Sequence, residues 1–451
     1  MIPCFSEKNN GIPIHIVTNS QFENWQSSQS TFTKEWLQAS GFKTESNNIR
    51  LVPDNAGKVS QILAYVQDDS MWSAGALPFM LPEGLYQLKV DDEKLYSYAI
   101  AWGLGAYQFS RYKKTVRAPA QLYLPQQMAD SVQNAVEAIY LVRDCINTPA
   151  NNMQPSDLAK VAKELAGNFG AEFSEIVGED LLQQNYPSIY AVGCSSDNAP
   201  RLLDLRWGNS AHPKVTLVGK GVCFDSGGLD LKSSAHMLLM KKDMGGAAHV
   251  LGLARMIMQA KLPIRLRVLI PAVENLVSAK AYRPGDIIKS RKGLTVEIGN
   301  TDAEGRVVLS DALAEAVTEK PDLLIDIATL TGAARVALGT DLPAVFSNQD
   351  DVVHAVIQQG EKNQDRMWRL PLYGAYRELL NSNIADINNN SSEPYGGAIT
   401  AALFLKEFVP DEIPWLHFDM MAWNLRNRPG RPQGGEAMVL RALFAYLQER
   451  Y

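Results

Sequence analysis

Histidine is scarce in this chain of 451 residues: six occur (His15, His212, His236, His249, His354, His417), and none stands in a His-Glu-x-x-His arrangement. A zinc protease site of that kind therefore has no ligands to use, and any metal must rest mainly on oxygen. Cysteine is scarcer still. Cys4, Cys145, Cys194 and Cys223 lie far apart and form no Cys-x-x-Cys pair, which excludes a thiolate zinc site and a disulfide framework and makes a reducing, cytoplasmic setting the expectation. No run of 18 apolar residues occurs, so no membrane span is expected. The opening Met-Ile-Pro-Cys-Phe-Ser-Glu-Lys lacks a basic segment followed by an apolar one, and no signal peptide is expected. Excess positive charge is also absent. The formal net charge of -6 argues against nucleic acid as the main partner. Internal repeats and low-complexity tracts are lacking, and 388–392 reads as a short polar loop.

What remains is an ordinary globular composition, 46% hydrophobic and 20% charged, in a chain too long for one core. Two α/β domains are expected: a small one over 1–118, a linker segment with a helix over 119–142, and a larger one over 143–451. In the first, apolar runs at 12–17 and 62–66 read as strands, and a helix around 34–39 is stopped by Gly41. The aromatic stretch 95–112 tempts a base-stacking reading, but such spacings more often serve a core. Apolar residues at three- and four-residue intervals predict a helix of about five turns over 125–142, ending near Asn147-Thr-Pro149. Whether it links two domains or opens the second is left open. Beyond it, strands at 189–193, 215–218, 265–272 and 323–327 alternate with helices at 155–165, 246–259 and 307–319. That alternation predicts a largely parallel sheet covered by helices on both faces, with ligands bound in loops just past strand ends.

Two acidic segments fall in such loops: Lys220-Gly-Val-Cys-Phe-Asp225 and Asn300-Thr-Asp-Ala-Glu-Gly-Arg306. Asp302 and Glu304 are two apart, the spacing that turns both carboxylates the same way in an extended segment, and Gly305 is expected to let the chain bend after them. With Asp225 and Asp243 the constellation holds four carboxylates; Lys220, Lys232 and Arg306 contribute three cations. Hard divalent metals suit such a set. Gly219-Lys220-Gly221 lacks the order of a phosphate loop, and Asp225-Ser226-Gly-Gly lacks the Gly-x-Ser-x-Gly elbow of a serine nucleophile. His236 and His249 lie near the acids in sequence, but neither is taken as a ligand.

These segments, together with Val218-Gly-Lys-Gly-x-x-Phe-Asp-Ser-Gly-Gly228, Asp243-Met-Gly-Gly-Ala-Ala248, Arg283-Pro-Gly-Asp286, Ala328-Thr-Leu-Thr-Gly332 and Trp415-x-His-x-Asp419, resemble the leucyl aminopeptidase family of dinuclear metallopeptidases. The resemblance runs through 143–451 and fades to length and α/β character before that. It implies two divalent ions per subunit, Mn²⁺ or Zn²⁺, bridged by Asp225 and Glu304, with Lys220 and Asp243 completing one shell and Asp302 the other. Lys232 would polarise the scissile carbonyl, and Arg306 would hold a bicarbonate acting as general base. Met240, Thr329, Leu330 and Gly332 match positions that line or hydrogen-bond the substrate. The resemblance further implies peptide substrates with a free, preferably hydrophobic N-terminal residue, and a homohexamer.

Charge arithmetic bears on one of these roles. Four carboxylates already cancel two dications, so Lys220 would have to bind as a neutral amine, its pKa lowered by the metals and by burial. Departures from the family pattern fall beside the ligands rather than on them. His236 and Leu238 stand where Asn and Asp are more usual, and Met421 stands where a small residue is common, which reshapes the pocket for the first substrate residue. Rival readings keep part of the site: a DNA-binding or otherwise non-catalytic member of the same fold, or a dinuclear phosphoesterase. An aryl phosphate assayed beside a leucine anilide separates the last from a peptidase, and salt-dependent DNA retention would favour the first.

Overall fold

A computed structural model describes residues 2–44, 48–115 and 117–451. The chain divides into two compact units, one formed by 1–140 with 426–433 and the other by 141–425 with 434–451. The division falls inside the helix Gln126–Asn147, which ends where the sequence places its end, near Asn147-Thr-Pro149. Among the described residues, no helix is long and apolar enough to cross a membrane.

The first unit is an α/β layer. Its six-stranded sheet runs in the order Phe5–Ser6, Gln121–Tyr123, Leu85–Leu88, Ile12–Thr18, Val59–Val66, Asn48–Pro53, and only the last strand is antiparallel to its neighbour. The helix Thr31–Ala39 ends at Ser40, ahead of Gly41 at φ +63. Within the aromatic stretch, Tyr98, Trp102 and Tyr107 are buried, and Trp102 Nε1 donates to Ala120 O at 3.2 Å. These rings serve the core.

The second unit is built on a nine-stranded sheet whose centre is four parallel strands, Trp415–Asp419, Leu323–Ala328, Lys214–Gly219 and Arg265–Asn275. Every residue of Leu-Leu-Ile-Asp-Ile-Ala328 is buried, as expected of a strand covered on both faces. Antiparallel strands Arg201–Trp207 and Ala344–Ser347 flank this centre. The helix Glu304–Ala316 covers one face with Pro187–Gly193 and Gly397–Lys406 packed on it; Gly245–Ala260 lies against the other with Pro155–Phe169 and Leu440–Arg450. Where Gly245–Ala260 meets the sheet, a Cβ on Gly246 would come 2.0 Å from Ile327 O, so only glycine lets the helix start reach the strand ends.

One expected strand is wrong. Residues 189–193 lie in the helix Pro187–Gly193, because Pro187 opens it and the buried carboxylate of Asp311 accepts from Ser188 N at 2.7 Å and Ile189 N at 3.3 Å. A short apolar run does not distinguish a buried strand from a buried helix. The strand Glu172–Val177, whose side chains are exposed or half-buried, carries no apolar signal and escaped the sequence reading.

Candidate metal centre

The acidic residues gather at the carboxyl ends of the central parallel strands. Lys220 sits between Lys214–Gly219 and Gly221–Asp225, its N–H donating to Ile327 O at 3.0 Å and its carbonyl accepting from Ala247 N at 2.8 Å. Those two bonds tie its backbone to a sheet strand and a helix start. Its side chain runs past Gly305, where a Cβ would lie 2.5 Å from Lys220 Cε. The bend expected of Gly305 is therefore not its role, since Gly305 continues the helix Glu304–Ala316 and makes room for the lysine.

Asp225 ends its strand opposite Asn275, and its Oδ1 accepts from Gly227 N at 2.8 Å and Asn275 Nδ2 at 2.9 Å. Asp302 and Glu304 converge by a different geometry from the one expected: Thr301–Ala303 is a 3-10 turn, fixed by Asn300 Oδ1 accepting from Asp302 N at 2.7 Å, and Glu304 opens the following helix. Asp243 follows the 3-10 turn Met240–Lys242, and its Oδ1 accepts from Thr329 Oγ1 at 2.8 Å.

Carboxylate oxygens of Asp225, Asp302 and Glu304 lie within 4.8 Å of one another. Two lysines thread the cluster. Lys220 Nζ is 2.7 Å from Asp243 Oδ2 and 2.8 Å from Glu304 Oε1, and Lys232 Nζ is 2.8 Å from Asp225 Oδ2 and 2.5 Å from Asp302 Oδ1. Four carboxylates against two ammonium groups leave a formal excess of two negative charges. Burial and then the nearby Asp225 push the Glu304 carboxyl up to about 8, and burial and then Asp243 raise Asp225. Burial alone would lower the pKa of Lys220, but Asp243, Glu304 and Asp225 outweigh it and hold the ammonium charged in the chain by itself. Asp243 Oδ2 and Asp302 Oδ1 are buried and receive no hydrogen bond among the described residues, so only lysine charge faces them. Crowded, under-neutralised oxygens of this kind fit hard divalent cations.

Arg306 is also buried. Its Nη1 donates to Asn389 O at 2.8 Å, while its Nε has no hydrogen-bond partner among the described residues, and burial lowers its pKa to about 10. Met240, Thr329, Leu330 and Gly332 line the same cavity of about 900 Å³ as the acids. Leu330 N and Thr331 N donate to Asp419 Oδ1 at 2.9 and 3.1 Å, and Thr331 Oγ1 donates to Asp419 Oδ2 at 2.6 Å, so the end of the next parallel strand shapes this wall.

Of the residues outside the expected ligand pattern, His236 and Met421 line the cavity, whereas Leu238 is exposed. His249 is buried in packing: its Nδ1 bonds Gly245 O at 2.6 Å and its Nε2 accepts from Met438 N at 2.9 Å. Ser226 Oγ donates to Asn275 O at 2.8 Å, a turn contact rather than a nucleophile's. Sequence reading missed Asn275, which joins both acidic segments through Asp225 and through Thr301 O at 3.0 Å, and Thr301, whose amide donates to Asp230 Oδ2 at 2.7 Å. It also missed Lys242 and Arg335, which line the cavity. Thr301 lies inside an acidic segment already singled out, but no local pattern gives it or the others a role, since each acquires its place only when distant strand ends come together.

The profile of the cytosol aminopeptidase family, catalytic domain, matches residues 140–444, and that of the family's N-terminal domain matches 12–125. A probable cytosol aminopeptidase of Syntrophotalea carbinolica is 41% identical over 365 residues, 77% of this chain and 73% of that protein. Peptidase B of Yersinia pseudotuberculosis is 41% identical over 353 residues, 75% of this chain and 80% of its own length. Among solved structures, the cytosol aminopeptidase of Coxiella burnetii superposes with a TM-score of 0.96 at 52% identity, covering 99% of each chain. The bottromycin maturation enzyme BotP in complex with Mn superposes at 0.86 with 31% identity, covering 97% of this chain and 99% of its own. The strand-end acids, the two lysines and the match along both units together place this chain in the cytosol aminopeptidase family of metallo-exopeptidases.

Proposed function

We propose that this aminopeptidase removes hydrophobic, leucine-like N-terminal residues from peptides by a two-metal mechanism. The observation that carries the reading is the convergence of Asp225, Asp302 and Glu304 oxygens within 4.8 Å beside the Asp243–Lys220 pair. In this reading Asp225 and Glu304 would serve two ions, with Lys220 and Asp243 completing one set of ligands and Asp302 the other. Mn²⁺ and Zn²⁺ are the favoured ions; the similar bottromycin maturation enzyme is described with Mn. Divalent ions held there supply Lewis acidity toward water, the substrate's α-amine and its carbonyl.

The chain's own residues complete the chemistry. Lys232 pairs with Asp225 and Asp302 in the chain alone; with those carboxylates engaged by cations, its ammonium would be available to donate to the scissile carbonyl oxygen as negative charge develops there. Lys220 would serve as a ligand only as a neutral amine, its proton released to solvent as the ions take over the charge of Asp243 and Glu304. The unpartnered Nε of Arg306 is a ready donor for bicarbonate, which in this reading takes the proton from the attacking water. Buried Met240 and Met421 supply apolar walls for the first side chain. We extend the reading to a cytoplasmic homohexamer, as the family resemblance implies. Solution mass by light scattering tests that assembly, and a monomer at all concentrations refutes it.

Chelation should abolish cleavage of a leucine anilide, and Mn²⁺, Zn²⁺ or Co²⁺ should restore it, because oxygen-rich sites accept several such ions. The N-acetylated leucyl substrate should be refused, since its amine cannot coordinate. Full activity in verified metal-free protein, or equal cleavage of the blocked substrate, would overturn the mechanism.

A further inference from the structure

The strands Arg201–Trp207, Arg265–Asn275 and Lys214–Gly219 are neighbours in the sheet of the second unit, and their register sets Arg267 beside Arg206 on one side and Thr216 on the other, with Arg265 beside Lys214. Residues two apart on a strand share a face, so the four cations stand on one side of the sheet as two successive like-charged cross-strand pairs. Such pairs are destabilising on their own. They lie at the amino ends of the parallel strands, away from the acids of the metal centre, and line a separate cavity of about 290 Å³ together with Glu319 and Glu172.

The carboxylates present do not fully answer this charge. Glu319 takes three guanidinium groups at once: Arg206 Nη1 at 2.6 Å, Arg267 Nη1 at 3.3 Å and Arg265 Nη2 at 3.4 Å. Arg267 is 5% exposed, and its Nη1 makes no hydrogen bond among the described residues. Its Nη2 is already committed, donating to Asp204 Oδ2 and to Glu315 Oε1 at 2.7 Å each, and Glu315 is shared with Arg291. Lys214 Nζ donates to a neutral acceptor, Glu319 O at 2.8 Å. Five cations, Arg291 included, thus face four carboxylates, and one of those four is the exposed Glu172 opposite Arg206. A buried guanidinium N–H without an acceptor is costly unless a ligand supplies one.

We propose that this cavity binds a small polyvalent oxyanion of the phosphate class, held by Arg265, Lys214 and the Nη1 of Arg267. A tetrahedral phosphate offers acceptor oxygens in several directions, so it can take two guanidinium groups and an ammonium together, where Glu319 has two oxygens for three arginines. The hydroxyl of Thr216, in the same cavity, is a further donor. The volume suits inorganic phosphate, pyrophosphate or the phosphate end of a nucleotide whose remainder stays outside. The site does not depend on the aminopeptidase reading, because none of its residues belongs to the metal centre. The helix Glu304–Ala316 joins the two regions, with Glu304 among the metal-centre acids and Glu315 against Arg267. An anion bound there would therefore fasten the far end of that helix to the sheet without entering the chemistry.

The test is equilibrium dialysis of Mn²⁺-loaded enzyme, freed of excess metal, against radiolabelled phosphate, with leucine hydroxamate present to cover the metal centre. One saturable site should persist under the hydroxamate. Arg265→Gln and Lys214→Gln should each weaken it by about 10- to 100-fold, the scale of one charged hydrogen bond lost. Arg265→Gln leaves Glu319 its contacts with Arg206 and Arg267, so the fold should hold, and circular dichroism with leucine anilide cleavage checks each variant. Unlabelled competitors separate the sources of the anion: displacement by phosphate and pyrophosphate ahead of adenosine monophosphate marks a free-anion site, and the reverse order marks a nucleotide phosphate; either order supports the site. Binding that the hydroxamate removes entirely belongs to the metal centre and overturns the proposal. So does a Kd weaker than about 10 mM, or binding that both variants leave unchanged. Should one variant not fold, the other decides, and if neither folds the hydroxamate experiment on unmodified enzyme does.

Discussion

Lys220 and Lys232 look alike in the sequence, and each bridges two carboxylates in the structure, yet their surroundings assign them different work. Lys220 is fully buried, anchored through its backbone to a strand and a helix start, and fitted against Gly305; Lys232 is half-buried at the open side of the cluster. Lys220→Ala should therefore lower metal occupancy. Lys232→Ala should keep its metal content and lose about 10²- to 10³-fold in kcat, the usual loss when one donor to a developing oxyanion is removed, with little change in KM. Metal analysis beside steady-state kinetics separates the two, and the opposite pattern of metal loss would interchange their roles. The four acids and both lysines were legible in the sequence because they sit in short, unusual motifs. Asn275 and Lys242 were not, because an Asn at a strand end or a Lys beside another Lys is commonplace until the fold sets it among distant segments.

At the scale of elements, legibility followed burial. The central strands Leu323–Ala328 and Lys214–Gly219 announce themselves as apolar runs, and the helix Gly245–Ala260 by its length and apolar periodicity. Pro187–Gly193 misled because it is short, apolar and capped from afar by Asp311. The join between Gly245–Ala260 and the chain near Met438 was equally hidden: it passes through His249, whose neutral ring donates to Gly245 O and accepts from Met438 N. Burial lowers the His249 pKa from 6.5 to about 4, opposed by its bond to Gly245 and by Asp365. The folded state thus favours the neutral ring. Stability from this group is complete above pH 6.5, where both states are neutral, and is lost as pH falls from 6.5 toward 4 while the unfolded chain takes up the proton. The full loss is roughly 3 kcal/mol. Urea unfolding of the protein and of His249→Gln at several pH values checks this. The variant should be less stable at pH 7.5 but lose less on acidification, and parallel pH slopes would sink the assignment.

Across the whole molecule, the excess negative charge of the centre is confined to one unit and to the ends of parallel strands that otherwise carry its core. In the chain alone, Lys220 and Lys232 hold these ends together by ion pairs, while burial and the nearby Asp225 still keep the Glu304 carboxyl raised. Divalent ions would replace those pairs with links from the segment 220–225 to Asp243 and to the turn 301–304. A ligand that binds only the folded state stabilises it by about 2.7 kcal/mol at a hundred times its Kd, and that gain should be concentrated where the ligands are. Hydrogen exchange on Mn²⁺-loaded and chelated protein should accordingly show protection gained at 220–232 and 300–306. The strand Val59–Val66 belongs to the other compact unit and contributes no residue to the centre, so its exchange should stay the same in both states. Equal protection of Val59–Val66 would mean that metal acts on the chain as a whole, and no protection at 300–306 would mean that the acids at 302 and 304 do not hold it.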